Sequence, residues 1–137
     1  MPLKKITLTF VACCLFQAPM VSANPRMHQE DCIIAAIDGL KLSPQQKSTM
    51  KLTAQKAKID IAIKRHELGV IRRHIHESFR SGNMNMGQIN KFAKQNENVL
   101  GSIVKLRLTE RFKLYRGLST LERQTMEDSI DKCINAE

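Results

Sequence analysis

The side chains that could hold a metal or form a covalent link are few: four histidines, His28, His66, His74 and His76, and four cysteines. His74 and His76 are two residues apart, so on a helix they diverge by about 200° and cannot share one ion. His66 and His74 fall on nearly the same face, yet lie roughly 12 Å apart along the axis. No histidine pair has the four-residue spacing that makes a local chelate. The methionines of "MH" (27–28) and "MNM" (84–86) could add soft thioether ligands for copper(I). Only ligands gathered from elsewhere, for example across a dimer interface, would complete a site. The main expectation is therefore no cofactor, with a transition-metal site drawn from His28, His66, His74 and His76 as the alternative.

Catalytic constellations are absent from the sequence. There is no nucleophile–base pair, no paired carboxylates and no glycine-rich phosphate loop. His66 and Glu67 are neighbours on a helix rather than a positioned dyad. The chain is expected to be a non-enzyme.

The cysteines point to a compartment. Lys4 and Lys5, the apolar run Ile6 to Phe16 and the small-residue site Val21-Ser22-Ala23 have the form of a secretory signal peptide, cleaved after Ala23. The run is too short for a spanning helix of about 20 apolar residues, although an uncleaved anchor is the alternative. Cleavage removes Cys13 and Cys14 and leaves Cys32 and Cys133, one near each end of the remaining chain. In an oxidising compartment such a pair reads as a disulfide, which would close a loop of about 100 residues and contribute on the order of 4–5 kcal/mol. An intermolecular bridge and a redox-active pair are the other two readings. The missing C-x-x-C spacing favours the structural bridge.

Charge narrows the partners. The formal net charge is +9, and losing Lys4 and Lys5 leaves +7. An exported chain rarely meets nucleic acid, and this one has no tryptophan and little aromatic interleaving for base stacking. Acidic protein surfaces are better candidates; an anionic membrane surface is a further option that is not favoured.

The elements that must position these residues are helical. Residues 24–137 form one domain, and helical periodicity dominates it. A short first helix lies in "EDCIIAAIDGLKL". A second runs from Ser43 to Ser81, with Gly82 as its break and Gly69 as a weak point. Its apolar residues form two lines: Met50, Ala54, Ala57, Ile61, Leu68, Ile71, Ile75 and Phe79, and beside them Leu52, Ile59, Ile63 and Val70. "SGNMNMG" (81–87) is the turn. A third helix runs from about Gln88 to Arg116, with Ile89, Phe92, Ala93, Leu100, Ile103, Val104, Leu108, Phe112 and Tyr115 as its apolar set, and a fourth from about Thr120 to Ile134. The expected fold is all-α: a long antiparallel hairpin with short flanking helices. A two-helix hairpin cannot bury both of its faces, so the flanking helices or a second copy must cover it. Dimerisation is therefore expected.

Two phrases, "LSPQQK" and "LSTLERQ", start helices. Ser43 with Gln46, and Ser119 with Glu122, form capping boxes, each preceded by a leucine, Leu42 or Leu118. Pro44 occupies the first helical position, where its missing N–H costs nothing.

With this layout, "LKLSPQQKSTM" and "KLYRGLSTLERQTMEDSIDK" resemble the motifs of the LTXXQ-motif family, the Spy/CpxP-like periplasmic proteins. Ser43 and Ser119 stand where the family has threonine, Glu122 where it has a second glutamine, and Thr120 where it has proline. The resemblance implies a periplasmic, ATP-independent chaperone for unfolded or misfolded envelope proteins, or an adaptor for a sensor-kinase periplasmic domain. A related branch binds zinc, nickel or copper. It further implies a cradle-shaped homodimer whose concave face mixes basic and apolar residues, for which the candidates are Lys58, Lys64, Arg65, Arg72, Arg73, Lys105, Arg107 and Arg111. The bland alternative for the same residues is a solvated helix face. A secreted protein whose basic helices bind membrane or host surfaces is the third reading.

Overall fold

The computed structural model describes residues 29–136; the expected signal peptide, its cleavage site and His28 lie outside them. Those residues form four helices and no strand: α1 (Gln29–Gly39), α2 (Pro44–Arg80), α3 (Met86–Tyr115) and α4 (Thr120–Ile134). The all-α expectation is met. The two long helices pack against each other, while α1 packs against both α2 and α4.

Local rules set the helix ends. The Ser43 hydroxyl accepts the Gln46 N–H at 3.2 Å and the Gln46 side chain accepts the Ser43 N–H at 3.0 Å, with Pro44 opening the helix. The same reciprocal box joins Ser119 and Glu122 at the start of α4. There the Ser119 backbone N–H, then its hydroxyl, donate to the Glu122 carboxylate and hold it below the usual carboxylate range. Ser43→Ala should cost about 1 kcal/mol of stability, read as a lowered urea midpoint at unchanged slope.

The 37 residues of α2 span about 55 Å and continue unbroken through Gly69. They stop in a Schellman motif: Gly82 N–H donates to the Phe79 carbonyl, and Asn83 N–H to that of Ser78. This geometry needs a left-handed residue, and Gly82, with φ +71°, supplies it. The turn is shorter than expected. Helix α3 starts at Met86 rather than near Gln88, because the Asn85 side chain accepts the Gln88 N–H at 3.0 Å and caps the helix. Gly87 thus belongs to the helix and not to the turn.

The core gathers at the open end of the hairpin. Cys32, Ile33, Ile37, Met126 and Ile130 are almost fully buried there, with Leu40, Ala54, Leu114 and Leu118 around them. A disulfide joins Cys32 to Cys133 within the chain, Cα to Cα 5.7 Å, across 101 residues. It ties α1 to α4. Toward the turn, the buried apolar residues thin to Ile71 and Val99.

Candidate functional site

The eight cationic candidates separate into two groups. Four hold the flanking helices onto the hairpin. Lys58 on α2 meets Asp31 on α1 at 2.5 Å. Arg65 from α2 and Arg107 from α3 each reach the Glu30 carboxylate at 3.1 Å, and Glu30 is completely buried. Arg111 pairs with Glu127 of α4, donates to the Tyr115 hydroxyl at 3.1 Å and lies 5.6 Å from that ring's centre. These residues position α1 and α4. They are less available to a partner than the sequence suggested.

The remaining four face outward. Lys64 pairs with Glu67 along its own helix at 2.8 Å, a contact worth little at an exposed site. Arg72, Arg73 and Lys105 are exposed and form no ion pair among the described residues. Lys64 and Lys105, with Lys56 and Lys113, rim a groove of about 490 Å³ between α2 and α3, whose wall includes Asp60 and Glu110.

The apolar lines also separate. On α2, Ala54, Ala57, Ile61 and Ile71 are buried, whereas Leu52, Ile59 and Ile63 are each about 60% exposed. At 100° per residue, the exposed three lie within about 40° of one another and nearly opposite Ala54 and Ile61. On α3 the sequence-expected apolar set is largely on the outside: Leu100, Val104, Leu108 and Phe112, four residues apart, are all more than half exposed. The buried face of α3 is instead Val99, Ile103, Glu110 and Leu114, of which sequence analysis had named only Ile103. Phe79, the last member of the first apolar line, is 62% exposed because it lies near the turn, beyond the reach of α1 and α4. Both hairpin helices therefore carry apolar side chains beyond the face that is buried, on nearly the opposite side of α2 and on an adjoining side of α3. Exposed apolar surface that continues over several turns commonly marks an interaction site.

The histidines are not brought together. His66, His74 and His76 are exposed, and His74 Nδ1 lies 3.6 Å from Glu77 of the same helix. Among the described residues, no group of three or more His, Cys, Asp or Glu side chains could hold a metal ion. Cys32 and Cys133 are bonded to each other. No helix among the described residues is long and apolar enough to cross a membrane.

Comparison with known proteins adds no constraint. No family model, curated protein or solved structure matches this chain.

Two acids escaped the sequence reading. Burial pushes the Glu30 carboxyl up, but its own backbone N–H, Arg65 and Arg107 outweigh burial and leave it below the usual range. Glu110 is only 3% exposed, and neither of its carboxyl oxygens meets a hydrogen-bond partner among the described residues. Burial, reinforced by the Glu30 charge and opposed by Arg111 and Arg107, lifts it to about 7. A glutamate between valine, isoleucine and leucine positions on one helical face is the only sequence signal that could have found it.

Proposed function

We propose that the protein is an exported, Spy/CpxP-like helical chaperone or stress adaptor. In this reading the signal peptide directs residues 24–137 to the periplasm. There the protein holds non-native envelope proteins or a sensor-kinase periplasmic domain. One observation carries the reading: uncovered apolar lines run along both hairpin helices, and Arg72, Arg73 and Lys105 on those helices are exposed with no ion pair among the described residues. Cationic side chains draw acidic chain segments from a distance, and shallow apolar contacts hold them weakly and exchangeably. A rigid enclosed pocket would select one ligand; open helix faces tolerate many. A second copy would cover one apolar line of each hairpin and leave the other for clients, which supports a homodimer as the working form.

The test is aggregation of a chemically reduced client protein, followed by light scattering with and without zinc or copper. Suppression should occur without metal. Ile59→Ser/Ile63→Ser should raise the concentration for half-suppression about tenfold, equivalent to about 1.4 kcal/mol of binding. Both residues are exposed, so stability should change by no more than about 0.5 kcal/mol each. Full suppression by this variant, or micromolar metal affinity lost on replacing His28 or His66, would overturn the proposal.

A further inference from the structure

Three helices meet at a pair of buried acids. Glu30 on α1 is clamped by Arg65 of α2 and by Arg107 of α3, each at 3.1 Å. On the same helix as Arg107, Glu110 is buried with both oxygens unpartnered among the described residues, close enough to Glu30 for the two charges to repel. The charged groups around Glu110 are Glu30 from α1, Asp60, Lys56 and Lys64 from α2, and Arg107, Arg111 and Lys113 from α3. From α4, Glu127 engages Arg111. Arg107 and Arg111 are thus already committed to Glu30 and Glu127, and among the described residues no carboxylate oxygen of Glu110 is supplied with a donor.

We propose that Glu110 is a proton-operated latch for α1: neutral, it lets Glu30 seat between Arg65 and Arg107, and ionised, it drives α1 off the hairpin together with α4, which the disulfide carries along. Burial of an ionised carboxylate without donors is far costlier than burial of its neutral form. Ionisation beside Glu30 also makes the two acids compete for Arg107. The cheapest relief is local opening that hydrates both, because α1 is only 11 residues long and is held to the hairpin by the core at its open end, this clamp and the partly exposed pairs of Lys58 with Asp31 and Lys51 with Asp38.

The sign follows from the proton count. The closed form keeps the Glu110 proton up to about pH 7, whereas an opened form would lose it near the ordinary glutamate value of about 4.5. Closure is therefore undiminished below about 4.5 and weakens as pH rises toward 7. Glu30 acts oppositely: its clamp needs the ionised form and fails only in stronger acid. The latch is tightest in mildly acidic solution and loosest in alkali. Opening would uncover apolar surface on Ala54, Ile61 and Leu114, at present buried.

Amide hydrogen exchange of α1 in the full chain, corrected for intrinsic base catalysis, tests this directly and needs no client. Between about pH 5.5 and about pH 8, exchange at Ile33 to Ile37 should accelerate on the order of 30-fold. Glu110→Gln should abolish that dependence, and Glu110→Met provides a second uncharged replacement should glutamine fold poorly. Equal acceleration in the variants would overturn the latch. So would a wild-type α1 whose protection stays constant while carbon NMR shows Glu110 titrating, since Arg107 or Arg111 would then have accepted the charge without opening.

Discussion

Replacing both Cys32 and Cys133 with alanine should lower the thermal midpoint by about 20 °C, from a stability loss on the order of 4–5 kcal/mol. The bridge spans 101 residues and closes nearly the whole described chain into one loop. An unbridged unfolded chain regains that loop's entropy, so most of the loss arises in the unfolded state. The native state suffers as well. An 11-residue helix is too short to persist alone in water, so α1 relies on what holds it in place. Differential scanning calorimetry of the double variant and of the reduced wild type should agree. A shift below about 5 °C in both would mean that the flanking helices stay docked without the bond. Wild-type protein should run as a monomer on non-reducing electrophoresis, as an intrachain bridge requires.

Ile37→Ala should cost about 3–4 kcal/mol, read from the urea midpoint. Ile37 has no exposed surface and packs among Ile33, Leu40, Leu114, Met126 and Ile130 where all four helices converge. Truncation forfeits the transfer of three carbons and leaves a cavity that helices fixed by the disulfide cannot readily close. The effects of this change and of removing the bridge should not add, since both act through α1 docking; a double-mutant cycle should give an interaction of about 1 kcal/mol. Ile63→Ala, on the uncovered face of α2, should by contrast stay within about 0.5 kcal/mol of wild type. A small Ile37 effect would mean that α1 contributes little to the core.

Much of the fold could be read from residues because the rules involved are local. Ser43/Gln46 and Ser119/Glu122 satisfy their own backbone donors, so their helix starts need no tertiary partner. Gly82 relieves a left-handed position that other residues enter with strain. Cys32 and Cys133 were the only thiols remaining after the expected cleavage, and the predicted pair is bonded. Asn85 was missed although it follows the same capping rule, because Gly87 just after it read as part of the turn.

The roles of side chains on the long helices were less legible. Helical spacing places Leu52, Ile59 and Ile63 on one face of α2 and Ala54, Ala57 and Ile61 on another, but both patterns look equally apolar in the sequence. Likewise, Arg65, Arg107 and Arg111 are indistinguishable from Arg72 and Arg73 until their acidic partners are found 35, 77 and 16 residues away. The sequence by itself determined the four helices and the capping boxes of α2 and α4, since backbone hydrogen bonding settles these within a few residues, and it singled out the cysteine pair as the thiols left after the expected cleavage. Only the tertiary structure decided which apolar lines are covered, which cations are committed, and that Glu110 is buried beside Glu30. Those outcomes depend on where α1 and α4 come to rest, and burial by a distant helix has no local signature.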